Sequence, residues 1–426
     1  MHRCAACWKQ QVTSPDNMSQ FWKFLSSLRS GGNPGEPDEP GERHRPSAGR
    51  SERGEKADSI AEYLDDCRRR VEAARSGLDD RQRAWVIEGN SPFMLRPDGE
   101  GRVRRGILMV HGLTDSPYIM RDIAPFFQQQ GFLVLVMQLP GHGTRPGDLL
   151  DACWQDWVNV HQHLLGLLGA EVDDLYLLGF SVGATLNMYQ SVRNESIKGQ
   201  FLFAPAVRVL AAAQLTCPLA WLGNWWKRLA WFDAQPDSDD FKYESIANRA
   251  ICEAHKLIRA LHRVSTLGER RIPLFVVASE KDATVDSGAI LRWFARQKGV
   301  PRRMLYYSTG HPVVPSGVKT VAAKFPDQNI RSFAHTALLQ SPSNPHYGAR
   351  GSYRFCTHYY RLDRQKYQHC KNGEEDCLGE MFDESEDCPV IRRLTYNPLF
   401  EEMLADIREF LLELDRGGKG DGGIKS

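Results

Sequence analysis

The stretch LYLLGFSVGATLNMY, Leu175–Tyr189, sets a continuous apolar run against a helical one and joins them through Gly179, Phe180, Ser181, Val182 and Gly183. The first half has no polar alternation, as a strand buried on both faces requires, and the second half changes to helical spacing. The junction is a G-x-S-x-G turn. A turn this tight strains the serine backbone and would bring side chains two residues away into collision; glycine on either side removes the clash. The serine then stands beyond the strand end, at the positive end of a helix whose first N–H groups are free to receive an oxyanion. The spacing predicts an activated serine on a strand–helix junction rather than a Gly-flanked helix start without chemistry.

Working outward, RRGILMVHG (104–112), FLVLVMQLPGHG (132–143), IKGQFLFAP (197–205) and IPLFVVAS (272–279) read as further buried strands. Between them SPYIMRDIAPFFQQQG (116–131), CWQDWVNVHQHLLGLLG (153–169) and ATLNMYQSVR (184–193) read as helices, with DSGAILRWFARQKG (286–299) after the last. Continuous apolar strands alternating with amphipathic helices predict an α/β architecture, a mostly parallel central sheet flanked by helices. SPFMLRPDGEG (91–101) reads as a hairpin with a Gly turn, and Ile60, Leu64 and Val71 stripe one helix before it.

The chain has 426 residues, 42% hydrophobic and 25% charged, with a net charge of +1. That length accommodates one large domain with insertions, or two smaller domains. The balanced charge gives no whole-molecule field for nucleic acid. No run of about 18 apolar residues predicts a spanning helix. Residues 1–59 are expected to be a disordered extension: 31–58 are rich in Gly, Pro, Glu and Arg, with one short amphipathic helix at SQFWKFLSSL (19–28) ahead of them. The domain proper is placed at 60–415 and a flexible tail at 416–426. A helical cap is expected at about 207–271, where Trp221, Trp225, Trp226 and Trp231 crowd PLAWLGNWWKRLAWF. A Cys-rich excursion is expected at about 341–394. With no export signal read at the N-terminus, the ten cysteines are expected to be reduced thiols in a cytoplasm. Cys4 and Cys7 form a lone CxxC, and Cys356, Cys370, Cys377 and Cys388 follow none of the common zinc spacings, so no metal is assigned.

HGLTDSPY (111–118), LPGHGTRPG (139–147), GFSVG (179–183) and SEKDATV (279–285), in this order, resemble the α/β-hydrolase fold. The likeness is to its monoacylglycerol-lipase-like and carboxylesterase-like branch, which is also serine aminopeptidase S33-like. It covers about Pro92–Ala283, and YNPLFEEMLADIREFLLEL (396–414) fits the family's final helix. The resemblance implies an oxyanion hole from the N–H groups of Leu113 and Val182, with His111 and His142 structural. It implies an acid just past the strand at 272–279, where Glu280 reads as a turn residue, Asp286 as a helix N-cap and Asp282 as the catalytic acid.

Two histidines compete for the base. His311 follows RRMLYYST (302–309), a plausible strand a helix beyond Asp282. His335 follows QNIRSFA (328–334) and requires an insertion at 311–328. Prolines crowd the residues after His311, whereas SFAHTALL (332–339) keeps an apolar run that can pack on the sheet and resembles an SH-x-AL segment of a bacterial branch of the family. The reading taken is the triad Ser181, Asp282 and His335, with QNIRSF as the last strand and His346 and His358 as loop-ordering residues.

What the resemblance implies is a serine hydrolase that cleaves acyl esters or monoacylglycerol-like lipids through an acyl-enzyme, with no cofactor. Alternatives are a thioesterase, a peptidase or amidase whose amine pocket is supplied by DAQPDSDDFKYE (233–244), or a non-catalytic relative. The partner is a small-molecule ester; the cap tryptophans and FWKFL (21–25) allow peripheral contact with a membrane.

Overall fold

The computed structural model describes residues 41–47, 57–99, 101–208, 215–265 and 272–418. The helix expected at 19–28, the CxxC at Cys4 and Cys7 and most of the 31–58 stretch lie outside them. Eight strands form the main sheet, in the order β1-β3-β2-β4-β5-β8-β9-β10. They are β1 (Phe93–Leu95), β2 (Arg105–Val110), β3 (Phe132–Met137), β4 (Asp174–Phe180), β5 (Ile197–Phe203), β8 (Leu274–Ser279), β9 (Arg302–Ser308) and β10 (Val318–Ala322). Only β1 runs antiparallel. β3 is buried at every position, and β2, β4 and β5 at nearly every one, because helices cover both faces. This is the α/β-hydrolase architecture that the resemblance implied.

Helices α1 (Ile60–Ala74), α2 (Asp80–Asn90), α3 (Ala124–Gln129), α4 (Trp154–Glu171) and α5 (Val182–Ser191) precede the cap. α1 presents Ile60, Tyr63, Cys67 and Val71 to the core and is capped by Ser59, whose side chain accepts the Glu62 N–H. The hairpin expected at 91–101 does not form. β1 pairs instead with β3, antiparallel, and forms the edge of the sheet. Residues 41–47, inside the stretch read as linker, lie on the domain: His44 meets Ser245 at 3.0 Å and Asp237 at 3.3 Å, and the Ser47 N–H donates to Asp148 at 2.7 Å.

The cap is only partly helical. α6 (Thr216–Leu222) and α7 (Asn248–Ser265) flank a two-stranded ribbon of β6 (Trp231–Asp233) and β7 (Ile246–Ala247). α7 is amphipathic and packs on α5 and α4, so the second half of the insertion belongs to the helical layer over the sheet. After β8 come α8 (Ser287–Arg296), then the excursion with α9 (Arg364–Asn372), β11 (Cys377–Gly379) and β12 (Ile391–Arg393), and finally α10 (Phe400–Gly418).

The reduced-thiol reading is corrected. Cys217–Cys252, Cys356–Cys370 and Cys377–Cys388 are disulfides, with Cα–Cα distances of 4.8, 6.0 and 6.1 Å. Packing of α6 on α7, of α9 on the turn at Thr357–Tyr359, and of β11 beside the loop before β12 brings together cysteines whose spacing carries no pairing signal. Such bonds persist in oxidising surroundings, which removes the argument for a cytoplasmic address. Among the described residues no helix is long and apolar enough to cross a membrane.

One buried contact gives the fold a pH dependence. His161 of α4 is fully buried, its Nε2 2.8 Å from the side-chain oxygen of Asn187 in α5. Burial pushes its imidazole down to about 4. An unfolded histidine titrates near 6.5. The folded state therefore excludes a proton that the unfolded chain accepts between about pH 6.5 and 4, and stability falls as pH drops through that window. From His161 alone the loss at pH 5 relative to pH 7 is about 2 kcal/mol. Denaturant midpoints measured from pH 7 to pH 4 should fall, and His161→Gln should flatten the slope; an unchanged slope would remove His161 from the account.

Candidate active site

Ser181 takes φ 55° and ψ −117°, a region that costs any residue but glycine. It sits between the last residue of β4 and the first of α5, and its own N–H donates to the Phe203 carbonyl of β5 at 2.8 Å. The flanking glycines are required by close approach. A Cβ on Gly183 would lie 2.3 Å from the Val110 carbonyl oxygen and 2.4 Å from that of His111; one on Gly179 would lie 2.6 Å from the Ala184 backbone. The N-terminus of α5 thus rests directly on the end of β2. Val182 is the first residue of α5, where an N–H has no intrahelical acceptor.

The loop after β2 is fixed by two buried histidines. Leu139 N–H donates to His111 Nε2 at 3.1 Å, which leaves Nδ1–H to donate to the Gly112 carbonyl at 2.9 Å. His142 Nε2 lies 2.5 Å from the Leu113 carbonyl. Burial holds both imidazoles below their ordinary range, so they are neutral struts between the two loops. Gly112 is needed here too: a Cβ would meet Asp115 Oδ2 at 2.4 Å and the Phe180 ring at 3.1 Å.

The three acidic residues after β8 separate cleanly. Asp286 caps α8, accepting the Ala289 N–H at 2.7 Å, and Glu280 accepts the Ser308 hydroxyl at 2.6 Å and the Thr309 N–H at 3.0 Å. Asp282 uses one oxygen on the Thr284 and Val285 N–H groups, at 2.8 and 3.0 Å, and the other on His335 Nδ1, at 2.6 Å. His335 is buried, and its ring centroid lies 4.8 Å from that of Phe180, the residue immediately before Ser181. His311 is exposed beyond the end of β9.

His335 reaches Asp282, but not as expected. RRMLYYS is β9, the neighbour of β8, and the supposed last strand QNIRSF is not a strand: it holds isolated bridges alone, Ile330 with Phe325 and with Leu378. The last strand is β10, VKTVA, within the segment taken for an insertion, and it pairs parallel with β9. Its half-exposed, charged residues hid it from a search for buried strands.

In the cap, Trp221, Trp225 and Trp226 are 60, 62 and 62% exposed, and Trp231 alone is buried. They are therefore not the cap's own core. The acidic segment 233–244 is largely consumed internally. Asp237 accepts from Ser245 and the Glu244 N–H; Asp239 from His346 and Tyr347; Glu244 from Ser238 and Tyr353. Two further charged residues lie close by: Glu380 accepts the His335 backbone N–H, and Arg393 donates to Glu380 and to the Thr284 hydroxyl. Neither carries any motif in the sequence.

The family model described as serine aminopeptidase, S33, matches residues 101–311. It ends at His311, so His335 and the Cys-rich excursion lie beyond it. The thermostable monoacylglycerol lipase of Bacillus sp. (strain H-257) is 26% identical over 204 residues, 48% of this chain and 78% of that protein. Among solved structures, the monoacylglycerol lipase of Paleococcus ferrophilus aligns at a TM-score of 0.41 and 16% identity, over 51% of this chain and 88% of that one. Est1E from Butyrivibrio proteoclasticus, with ferulic acid bound, aligns at 0.41 and 15%, over 51% and 86%.

The geometry at the β4–α5 turn sets two opposite expectations for stability. Ser181→Gly relieves a positive φ and should be more stable than Ser181→Ala by about 1 kcal/mol. Gly183→Ala forces α5 off two backbone carbonyls and should cost on the order of 1–3 kcal/mol. Urea midpoints of the three variants measure both; equal midpoints for the two Ser181 variants would mean that the turn stores no strain.

Proposed function

We propose, from the premise that the chain belongs to the α/β-hydrolase superfamily, that it is a serine hydrolase of carboxylic esters, acting on acyl esters or monoacylglycerol-like lipids. The observation that carries the reading is the strained Ser181 at the head of α5 beside a buried Asp282–His335 hydrogen bond. In this mechanism Asp282 holds His335 with Nδ1 protonated, leaving Nε2 to take the Ser181 proton as the hydroxyl attacks the ester carbonyl. The N–H groups of Leu113 and Val182 receive the oxyanion. The imidazolium then returns the proton to the departing alcohol, and a water activated by the same His335 hydrolyses the acyl-enzyme. Nothing in this sequence of steps requires a metal or an organic cofactor.

The matching family's description names an aminopeptidase, and that is the second reading. An aminopeptidase needs a free carboxylate near the serine to bind the substrate's ammonium. The carboxylates of Asp237, Asp239 and Glu244 already have internal partners, which favours the ester reading.

Ser181→Ala should abolish turnover of p-nitrophenyl butyrate and labelling by a fluorophosphonate. His335→Ala should lower kcat by about 10⁴-fold or more, with KM little changed, while His311→Ala stays at the wild-type rate. Full activity in His335→Ala, or cleavage of aminoacyl anilides in preference to esters, would overturn the assignment.

The exposed Leu215, Trp221, Trp225 and Trp226 stand beside exposed Lys227 and Arg228, and the natural occupant of this face is an anionic lipid surface. Sedimentation with phosphatidylglycerol vesicles should be lost on replacing Trp221, Trp225 and Trp226 together with alanine. Changing Lys227 and Arg228 to glutamine should remove only the preference over phosphatidylcholine. Undiminished binding by the triple variant would refute the contact.

A further inference from the structure

The excursion that lies beyond the family match reaches back into the candidate site through one carboxylate. Glu380 follows β11 directly and is 1% exposed. β11 and β12 pair in parallel with Gly379 opposite Arg393, so the ribbon itself sets the two charges side by side. Arg393 Nε donates to Glu380 Oε1 at 2.6 Å and Nη2 to Oε2 at 3.0 Å, a bidentate pair that neutralises the buried carboxylate.

The other contacts of this ion pair point to the site. Glu380 Oε2 accepts the backbone N–H of Ala283 and that of His335, both at 3.2 Å, and Oε1 accepts the Met381 N–H at 2.9 Å. Arg393 Nη2 also donates to the Thr284 hydroxyl at 2.9 Å. Ala283 and Thr284 directly follow Asp282. One carboxylate oxygen therefore spans the loop of the acid and the loop of the base.

The same ribbon grips the approach to His335. Arg331 N–H donates to the Leu378 carbonyl and Leu378 N–H to that of Asn329, each at 2.8 Å. Glu380 N–H donates to Ser332 Oγ at 3.1 Å, the Ser332 hydroxyl donates to Asp383, and Arg331 pairs with Asp387 at 2.9 Å. The Cys377–Cys388 disulfide closes the loop that carries Glu380, Asp383 and Asp387.

We infer that Glu380, held by Arg393, is the positioning residue that sets the separation of Asp282 and His335. It touches no substrate; it fixes the backbones on either side of the 2.6 Å contact between the acid and the base. The inference rests on the triad reading above. A separation slackened by a fraction of an ångström leaves the serine in place but misaligns the imidazole, so the rate falls while substrate binding does not.

Charge gives a readout that a merely structural ion pair would not move. The charged groups around His335 are Asp282 at its ring, Glu380 at its backbone N–H, and Arg393 on Glu380. Glu380→Gln keeps most of the shape but leaves the Arg393 cation unneutralised near the base. An added positive charge disfavours imidazolium, so the acidic limb of kcat/KM moves to lower pH. Removing the cation as well, in Glu380→Gln with Arg393→Gln, returns the limb towards its original place.

The test measures the rate of fluorophosphonate labelling, which needs no knowledge of the natural substrate, together with kcat, KM and the pH profile on p-nitrophenyl butyrate. The proteins compared are full-length wild type, Ser181→Ala, Glu380→Gln, the double variant and Arg393→Lys. Expected for Glu380→Gln are a kcat and labelling rate about 10- to 100-fold lower, KM within about twofold, and the downward limb shift. Arg393→Lys retains the charge and loses the second donor; its expected effect is a smaller loss in kcat, and it carries the test if Glu380→Gln does not fold. A wild-type rate and profile in whichever of these variants folds overturns the role of Glu380, provided Ser181→Ala is inactive and unlabelled. Activity or labelling that survives Ser181→Ala, or a wild type that does not label, overturns the triad reading instead.

Discussion

The structure turns on the contact between the N-terminus of α5 and the C-terminal end of β2. Gly183 lies so close to the Val110 and His111 carbonyls that no side chain fits. That approach leaves Ser181 with a positive φ and aims the helix's unpaired N–H groups at the space beyond the sheet. Other parts then follow. The loop at Gly112 and Leu113 must be held above this point: neutral His111 reaches the loop after β3, and neutral His142 reaches back from that loop to Leu113. A charged group in either place would have to be neutralised in a cavity that offers mainly backbone carbonyls.

Burial of charge is handled elsewhere in a consistent way. Asp237, Asp239, Glu244, Glu380 and Glu253 are almost wholly inside, and each has several donors. A buried carboxylate without them would cost several kcal/mol, so these residues specify one arrangement of the loops they join rather than adding net stability. The segment 233–244 looks like an open acidic patch in sequence because several of its partners, His44, His346, Tyr347 and Tyr353, come from stretches far away along the chain.

What was legible in the sequence was local. The β4–α5 turn, the buried strands, Glu280 as a turn residue and Asp286 as a cap follow from turn and cap chemistry within a few residues, whereas Asp282 was singled out by the family resemblance. β10 was missed because an edge strand with Lys319 and Thr320 facing out lacks the apolar run that marks β3 or β8. His335 was selected on the apolar run after it, on the prolines after His311 and on the likeness to an SH-x-AL segment; Phe333, Ala334, Ala337 and Leu338 are fully buried around it. The supposed strand before it was wrong, because Ile330 and Arg331 pair with Leu378 of the excursion rather than with the sheet. Such pairing depends on residues about fifty positions downstream. The disulfides were illegible for the same reason, since their geometry is decided by helix and ribbon packing and not by spacing.

The excursion changes how His335 is held. The segment 323–335 leaves the sheet edge after β10 and returns towards β8 without a strand of its own. Backbone N–H and C=O groups on such a path need partners. β11 supplies them at Asn329 and Arg331, and Glu380 supplies the one at His335. Two disulfides close loops of 14 and 11 residues in that same unit, each removing chain entropy on the order of 3 kcal/mol from the unfolded state. The stiffness is thus placed where a returning loop would otherwise be loosest. His335 owes its place to an insertion packed beside it, whereas Asp282 stays just past the end of β8, and Glu380 lies at the joint between the two.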